Sequence, residues 1–267
     1  MDSSASWLRR VAEALGPVTS SRPLGGSAWR LEAGGRAVVA KVGPGSCDEA
    51  DGLRLLGSVG GAPAVPEVVM AEADVAVVAW VEPHGRSDAA VERLGRELAA
   101  LHGATADHWG GGSGWIGACR VDPAEHADGP GFYGARLVEL ARRCGIEAPV
   151  AAVAERLGAL VPFDRPAALH GDLWWGNVLW GAGDRPWLID PSCHGGHPEE
   201  DLAMLALFGD VPARLLAAYE EVRLLAPGWQ ERVALFQLYP LLVHSVLFGG
   251  GYRSQAEAIA RHYGGGS

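Results

Sequence analysis

Three oxygen-bearing side chains with a regular spacing lie in residues 169–190, where the sequence reads LHGDLWWGNVLWGAGDRPWLID. Asp172 and Asn177 follow His170 in the pattern H-x-D-x-x-x-x-N, and Asp190 ends a short apolar run. A carboxylate at Asp172 can accept the proton of an attacking hydroxyl, while oxygens of Asn177 and Asp190 can hold Mg²⁺ against nucleotide phosphates. The spacing therefore predicts phosphoryl transfer, with His170 fixing the turn.

The two candidate magnesium ligands lie at opposite ends of a predicted hairpin. Residues 178–180 and 187–189 are apolar, and the glycine-rich stretch 181–184 between them is typical of a hairpin turn. Such a hairpin brings Asn177 and Asp190 close together. The alternative is that His-Gly-Asp is only a turn, because Asp and Asn favour turns by bonding to their own backbone. The downstream Asp190 favours the catalytic interpretation.

Lys41 is the only lysine among 22 basic residues. It lies near the end of a predicted strand, 36–42, where the kinase pattern places the lysine that contacts nucleotide phosphates. A chain that otherwise uses arginine retains a lysine where a compact ammonium is needed, although one lysine could also remain by chance. The preceding loop Gly25-Gly26-Ser27 can direct backbone N–H groups at phosphates, or it can simply begin a strand.

Glu49 has two interpretations. It follows Ser46 by three residues, as in a helix capping box. It could instead form an ion pair with Lys41 and orient the ammonium. We favour the ion pair.

The elements that must position these groups fall into two parts. Up to residue 82 the pattern is strands joined by glycine turns, which predicts an antiparallel sheet of four or five strands, and the remainder is mostly helical by periodicity. The sequence predicts a bilobal α+β fold, with residues 1–82 as the nucleotide-binding lobe and 83–267 as the catalytic lobe. Adenine would bind the backbone between Ala79 and Val81, beside the hinge.

Composition limits the class of partner. With a net charge of −10, a pI near 5.3 and no basic run, we expect no binding to nucleic acid or to an anionic membrane. No stretch is apolar for the length that spans a bilayer, and the N-terminus lacks the apolar core of a signal peptide. The four scattered cysteines are typical of reduced thiols, so we expect a cytoplasmic protein. Independently of the cysteines, we expect a monomer or a weak dimer. A zinc site at Cys193, His194 and His197 is not favoured because it has no fourth ligand.

Glycine between the histidine and aspartate of the 170–172 motif resembles the aminoglycoside and choline kinase branch of kinases. The longer pattern is similar to the fructosamine kinase (ketosamine-3-kinase) family, through Leu173-Trp174, Gly176-Asn177, Ile189-Asp190-Pro191, Gly196-His197, Glu199, residues 201–204 and residues 241–244. This resemblance extends over nearly the whole chain. It implies a protein kinase-like fold, ATP and Mg²⁺ as cofactors, and a substrate site that includes Trp174, Trp175 and His197.

The resemblance also implies an activity, phosphorylation of the sugar 3-hydroxyl of ketosamines in deglycation. The acceptors would be ribulosamine or fructosamine adducts of small amines or of protein lysines. The irregular segment 104–130 would then border the substrate, and Asp201 would brace the catalytic turn. Trp175 replaces a small residue that is usual in the family, and Ala79 replaces a frequent acidic one. The alternatives are an aminoglycoside- or choline-type phosphotransferase and a nucleotide-binding pseudokinase scaffold.

Overall fold

The N-terminal part of the fold is a five-stranded sheet with two helices. The computed structural model describes residues 3–265. Its first elements are α1 (Ser3–Leu15), β1 (Val18–Gly25), β2 (Ala28–Ala33), β3 (Arg36–Val42), α2 (Ser46–Ser58), β4 (Val68–Glu72) and β5 (Val75–Ala79). The strands pair antiparallel in the order β1-β2-β3-β5-β4. The predicted antiparallel sheet is therefore confirmed.

Alternation along the strands explains how this sheet is covered. Successive side chains of a strand point to opposite faces, so Val38 and Ala40 of β3 share one face with Val75 and Val77 of β5. Trp7 of α1 packs on this face and is buried. The opposite face of β3 includes Lys41, whose ammonium contacts Asp190 of the helical part.

The C-terminal part of the fold is mostly helical. Its elements are α3 (Asp88–Gly103), β6 (Trp109–Gly110), β7 (Trp115–Ile116), β8 (Cys119–Arg120), β9 (Glu125–His126), α4 (Gly129–Cys144), α5 (Glu147–Leu160), β10 (Ala167–Leu169), β11 (Val178–Gly181), β12 (Arg185–Leu188), β13 (His194–Gly196), α6 (Glu199–Leu205), α7 (Ala213–Glu220), α8 (Trp229–Phe248) and α9 (Gly251–Gly264). The mixture of helices with antiparallel sheet confirms the predicted α+β class. The composition of residues 264–267 predicts a disordered tail, but Gly264 is the last residue of α9. Gly266 and Ser267 lie outside the described residues.

Two hydrophobic clusters hold the helical part together. The larger lies between α4, α5, α8 and α9 and includes Tyr133, Leu137, Phe236 and Leu242, which are almost completely buried. Helix α8 is apolar on most of its faces because it is packed on several sides. Ser87 is the N-cap of α3, since its Oγ accepts a hydrogen bond from the Ala90 N–H at 3.0 Å. Among residues 3–265, no helix is long and apolar enough to cross a membrane.

Candidate active site

A tight turn after β10 holds the predicted catalytic residues. Gly171 has a φ of +80°, and a Cβ at this position would lie 2.0 Å from the Ser192 carbonyl oxygen, so only glycine fits. The buried His170 donates a hydrogen bond from Nε2 to the Ile189 carbonyl at 2.9 Å, and its Nδ1 accepts one from the Asp172 N–H. Burial lowers the pKa of His170, which suits the neutral ring that this pattern requires. His170 therefore ties the turn to the strand that precedes Asp190.

Asp201, at the start of α6, stabilises the turn by accepting hydrogen bonds from its backbone. Its two oxygens accept hydrogen bonds from the backbone N–H groups of His170 and Gly171, both at 2.9 Å. The His102 ring adds a contact from Nε2 to Oδ2 at 3.2 Å, and its other nitrogen lies 2.9 Å from the Tyr219 hydroxyl. Burial alone would raise the pKa of Asp201, but the hydrogen bond from His102 and the Gly171 N–H hold it below its usual range.

The hairpin of β11 and β12 brings the two candidate magnesium ligands together, as the sequence predicts. Val178 pairs with Leu188, and the Ile189 N–H donates to the Asn177 carbonyl at 3.0 Å. The Asn177 amide nitrogen donates to the Asp172 carbonyl at 2.8 Å, which leaves the amide oxygen free to act as a ligand. Asp190 has a φ of +57°, a conformation that non-glycine residues rarely adopt and that is found at functional sites.

Lys41 of the sheet contacts the same carboxylate from the other side. Its Nζ lies 2.5 Å from Asp190 Oδ2 and 3.8 Å from Glu49 Oε2. The capping-box interpretation of Glu49 is wrong, because Gly45 occupies the N-cap of α2 and the Ser46 hydroxyl donates to the Gly43 carbonyl instead. Glu49 is thus available to orient the Lys41 ammonium.

Negative charge exceeds positive charge at this point. Burial, and then the nearby charge of Asp190, raise the pKa of Asp172 to about 7 and that of Glu49 to about 8. Three carboxyl groups surround the single ammonium of Lys41, so a divalent cation would relieve their repulsion. The donor set suits Mg²⁺, which takes few protein oxygens and retains waters. No group of three or more His, Cys, Asp or Glu residues within 3–265 could hold a metal by itself.

Two adjoining cavities meet at these residues. The larger, about 770 Å³, lies under the sheet and is bordered by the loop Gly25-Gly26-Ser27, by the segment from Val78 to Val81, and by Leu179 and Ile189 of the helical part. The smaller, about 290 Å³, is lined by Asp172, Trp174, Asn177 and Trp115. Ser27, Lys41, Glu49 and Asp190 line both cavities. The first cavity has room for a nucleotide, and the second has room for an acceptor beside Asp172.

The predicted substrate residues are not all at this cleft. The Trp174 indole lies over Gly176, where an added Cβ would be 2.2 Å from the ring, and it lines the smaller cavity. Trp175 lies against Gly209 and beneath the Arg86 guanidinium, at 4.9 Å from ring centre to Cζ. His197 is buried and stacked on Phe236, with ring centroids 5.1 Å apart. Trp175 and His197 line neither cavity, so we leave them out of the candidate substrate site.

Trp115 lies at the cleft, although the pattern of its sequence segment does not predict this. The segment 104–130, expected beside the substrate, contributes Trp115, whose carbonyl accepts hydrogen bonds from the Ser113 and Ser192 hydroxyls at 2.7 and 2.8 Å. The Trp115 ring lies 3.0 Å from the position of a Cβ at Gly45. The glycine-rich composition of the segment predicts a loop but gives no sign of these contacts.

Comparison with known proteins identifies the family. The sequence profile described as fructosamine kinase matches residues 28–263. The chain belongs to the fructosamine kinase family. A similar protein from Synechocystis is named probable ketoamine kinase. It is 37% identical over 206 residues, which cover 69% of this chain and 66% of that protein. An Enterococcus faecium protein with the same name is 40% identical over 98 residues, 35% of its own length. The matches thus span less than two thirds of both curated relatives.

Solved structures resemble this family member over nearly its whole length. A provisionally assigned fructosamine-3-kinase from Thermobifida fusca is 38% identical, with a TM-score of 0.84 over 97% of this chain and 98% of that one. The choline kinase of Streptococcus pneumoniae is 16% identical, with a TM-score of 0.67 over 99% of both chains. The second comparison shows the fold alone, which is that of choline kinases and aminoglycoside phosphotransferases.

Proposed function

We propose that this protein is an ATP- and Mg²⁺-dependent kinase that phosphorylates the sugar 3-hydroxyl of ketosamines in deglycation. The observation that supports this most strongly is the contact of Lys41 with Asp190, 2.5 Å apart, beside Asp172 and Asn177. A kinase needs this set of groups around the terminal phosphate. The names of the relatives, ketoamine kinase and fructosamine-3-kinase, support a ketosamine acceptor.

The larger cavity is our candidate for the ATP site. Backbone N–H groups of Gly25, Gly26 and Ser27 would bind phosphates, and Ala79 and Val81 would bind adenine. The Val81 N–H makes no hydrogen bond within residues 3–265, so it is available to a base. An aminoglycoside phosphotransferase of the same fold, with a TM-score of 0.67, was solved with ATP and streptomycin.

In the proposed mechanism, the protein positions the reactants and neutralises charge. Lys41, oriented by Glu49, would bind the phosphates from the sheet side. Asn177 and Asp190 would hold Mg²⁺, whose charge would stabilise the phosphates when it is bound. Asp172 would accept the hydroxyl proton of the acceptor, and its pKa of about 7 suits a group that must take up and release a proton.

The remaining assignments follow from this mechanism. We assign residues 1–82 to the nucleotide lobe and 83–267 to the catalytic lobe, with the nucleotide between them. Trp174 would be a platform for the sugar beside Asp172. A cytoplasmic location suits the four cysteines, all of which are free thiols. The proposed assembly is a monomer or a weak dimer. The acceptor would be a small ketoamine or a glycated lysine.

The test is ADP release with Mg²⁺ and ATP over a panel of ribulosamines, fructosamines, aminoglycosides and choline. We expect turnover of the ketoamines, with phosphate on the 3-hydroxyl by NMR. Asp172→Asn should lower kcat roughly 10²–10⁴-fold and leave the Kd for ATP nearly unchanged. Turnover of aminoglycosides or choline alone would show that the protein is a phosphotransferase of that type and that ketosamines are not its acceptors. ATP binding without turnover of any acceptor would indicate a pseudokinase and refute the proposal.

A further inference from the structure

Helix α2 is attached to the helical part of the protein as well as to the sheet. It packs on β4 and β5 of the sheet. Leu56, near its end, is almost completely buried in a hydrophobic cluster that includes Leu98 of α3. The segment after α2 pairs with β12, because the Ala64 N–H donates to the Pro186 carbonyl at 3.2 Å and the Leu188 N–H donates to the Ala64 carbonyl at 2.8 Å. The second half of α2 is therefore anchored to the helical part.

A glycine in the middle of α2 allows the helix to approach the segment that follows Asp190. A Cβ at Gly52 would lie 3.1 Å from both Cys193 Sγ and Pro191 Cγ, which is closer than ordinary van der Waals contact. The buried Cys193 thiol also donates a weak hydrogen bond to the Gly52 carbonyl, with 3.6 Å between sulfur and oxygen. Glycine is disfavoured relative to alanine in the interior of a helix, so helix formation does not explain its presence. The close packing does.

The same turn of α2 includes the carboxylate that contacts Lys41. Glu49 precedes Gly52 by three residues, and residues at this spacing lie on the same side of a helix. The distance from Lys41 Nζ to Glu49 Oε2 is 3.8 Å, close to the limit of an ion pair. Any shift of α2 away from Pro191 would move the Glu49 carboxylate by a similar distance. The depth at which Gly52 packs thus sets the position of Glu49.

We propose that Gly52 is a positioning residue for the pair of Lys41 and Glu49. Because it has no side chain, α2 packs against Pro191 and Cys193, and this contact holds Glu49 beside the ammonium without a prior movement of the helix. The enzyme then needs no activating partner or modification to assemble its phosphate site. The effect on turnover rests on the proposed function, whereas the position of the pair can be measured without any acceptor.

The first test is a pair of substitutions at Gly52. Alanine favours the helix but forces its neighbours apart by a few tenths of an ångström, and leucine forces a larger shift. We expect kcat to fall roughly 3–10-fold in Gly52→Ala and roughly 10²-fold in Gly52→Leu, with smaller changes in the KM for ATP. The matched control is Gly158→Ala in α5, where the nearest atom to an added Cβ is 3.8 Å away. Its kcat should not change.

Two double variants separate positioning from general damage. Cys193→Ala removes the sulfur that the new Cβ would meet, so kcat of Gly52→Ala should partly recover when the two changes are combined. In a Glu49→Gln background the ion pair is already lost, so Gly52→Leu should cost less than about threefold in kcat. Thermal melts report whether each variant is folded. Equal losses of kcat with and without the Glu49 carboxylate would overturn the proposal.

The unique lysine provides a measurement that needs no turnover. Reductive methylation with ¹³C-formaldehyde gives one lysine signal in the NMR spectrum, because Lys41 is the only lysine. We expect Gly52→Leu to move this signal in the same direction as Glu49→Gln, and Gly158→Ala to leave it in place. A signal that does not move in Gly52→Leu would refute the positioning role. A wild-type protein that phosphorylates no acceptor would refute the proposed function, while a moved signal would still support the positioning of Glu49.

Discussion

The contact of Asp201 with the catalytic turn makes a quantitative prediction for Asp201→Asn. The carboxylate accepts from the backbone N–H groups of His170 and Gly171 and from His102. An amide has only one acceptor oxygen, and its NH₂ group must face one of these donors. Even if the His102 ring changes tautomer to accept from the amide, one backbone N–H of the turn loses its partner.

The magnitude follows from burial. Asp201 is 1% exposed, so the orphaned N–H cannot turn to water, and a buried unsatisfied group costs about 1–3 kcal/mol. We therefore expect a lower free energy of unfolding by about that amount, and a fall in Tm of about 2–4 °C per kcal/mol for a chain of this size. Because the turn also positions Asp172, kcat should fall as well, while the Kd for ATP should change little.

Urea unfolding at pH 7 and steady-state kinetics measure the two effects. The matched control is Asp107→Asn, the same change at an exposed aspartate. Because the folded pKa of Asp201 lies below its unfolded value, its charge contributes stability at pH values above about 4 and loses that contribution below. The variant should thus lose part of the acid dependence of stability. An Asp201→Asn protein with wild-type stability and kcat would refute this account of the turn.

Two further substitutions test separate parts of the structure. Gly176→Ala should displace the Trp174 indole, because the added Cβ would lie 2.2 Å from the ring. We expect a several-fold rise in KM for the acceptor but not for ATP. The control is Gly60→Ala, where a Cβ meets no atom within 4 Å, and its KM values should not change. Burial lowers the pKa of His197 to about 4 despite the charge of Glu200, so the unfolded chain binds an extra proton below pH 6.5. The contribution of His197 to the free energy of unfolding should therefore fall by up to about 3 kcal/mol between pH 6.5 and 4. This contribution should be absent in His197→Gln, so stability should depend less steeply on pH in the variant. Equal pH dependence of stability in the two proteins would contradict the prediction.

Residues placed by local geometry were predictable from the sequence. The H-x-D-x-x-x-x-N spacing lies on one turn, and the hairpin after it returns the chain to Asp190, so the proximity of Asp172, Asn177 and Asp190 follows from short-range structure. Lys41 was predictable because the end of a strand and a unique lysine coincide. The proximity of Asp172, Asn177 and Asp190 depends on no residue far away in the chain, whereas the contact of Lys41 with Asp190 joins distant segments and follows from the kinase pattern.

The misplaced substrate residues show where such reasoning ends. Trp174 and Trp175 are neighbours in sequence, but only the first faces the cleft. The direction of Trp175 is set by Gly209 and Arg86, which lie far from it in the chain and leave space and a cation for the indole. His197 likewise packs on Phe236 of α8. No pattern within a short window contains this information.

The segment 104–130 illustrates a further role that only the fold shows. The Gly114 N–H donates to Asp48 at 2.9 Å, and Trp115 packs on Gly45, so this segment of the helical part contacts the start of α2. These contacts lie at the same end of the cleft as the pair of Lys41 and Asp190. The hydrogen bond is weak by itself, since a typical intramolecular hydrogen bond contributes about 0.5–1.5 kcal/mol. Together they restrain the sheet against the helices beside the two cavities, so alignment of the proposed ATP and acceptor sites depends on a glycine-rich segment as well as on the candidate catalytic residues.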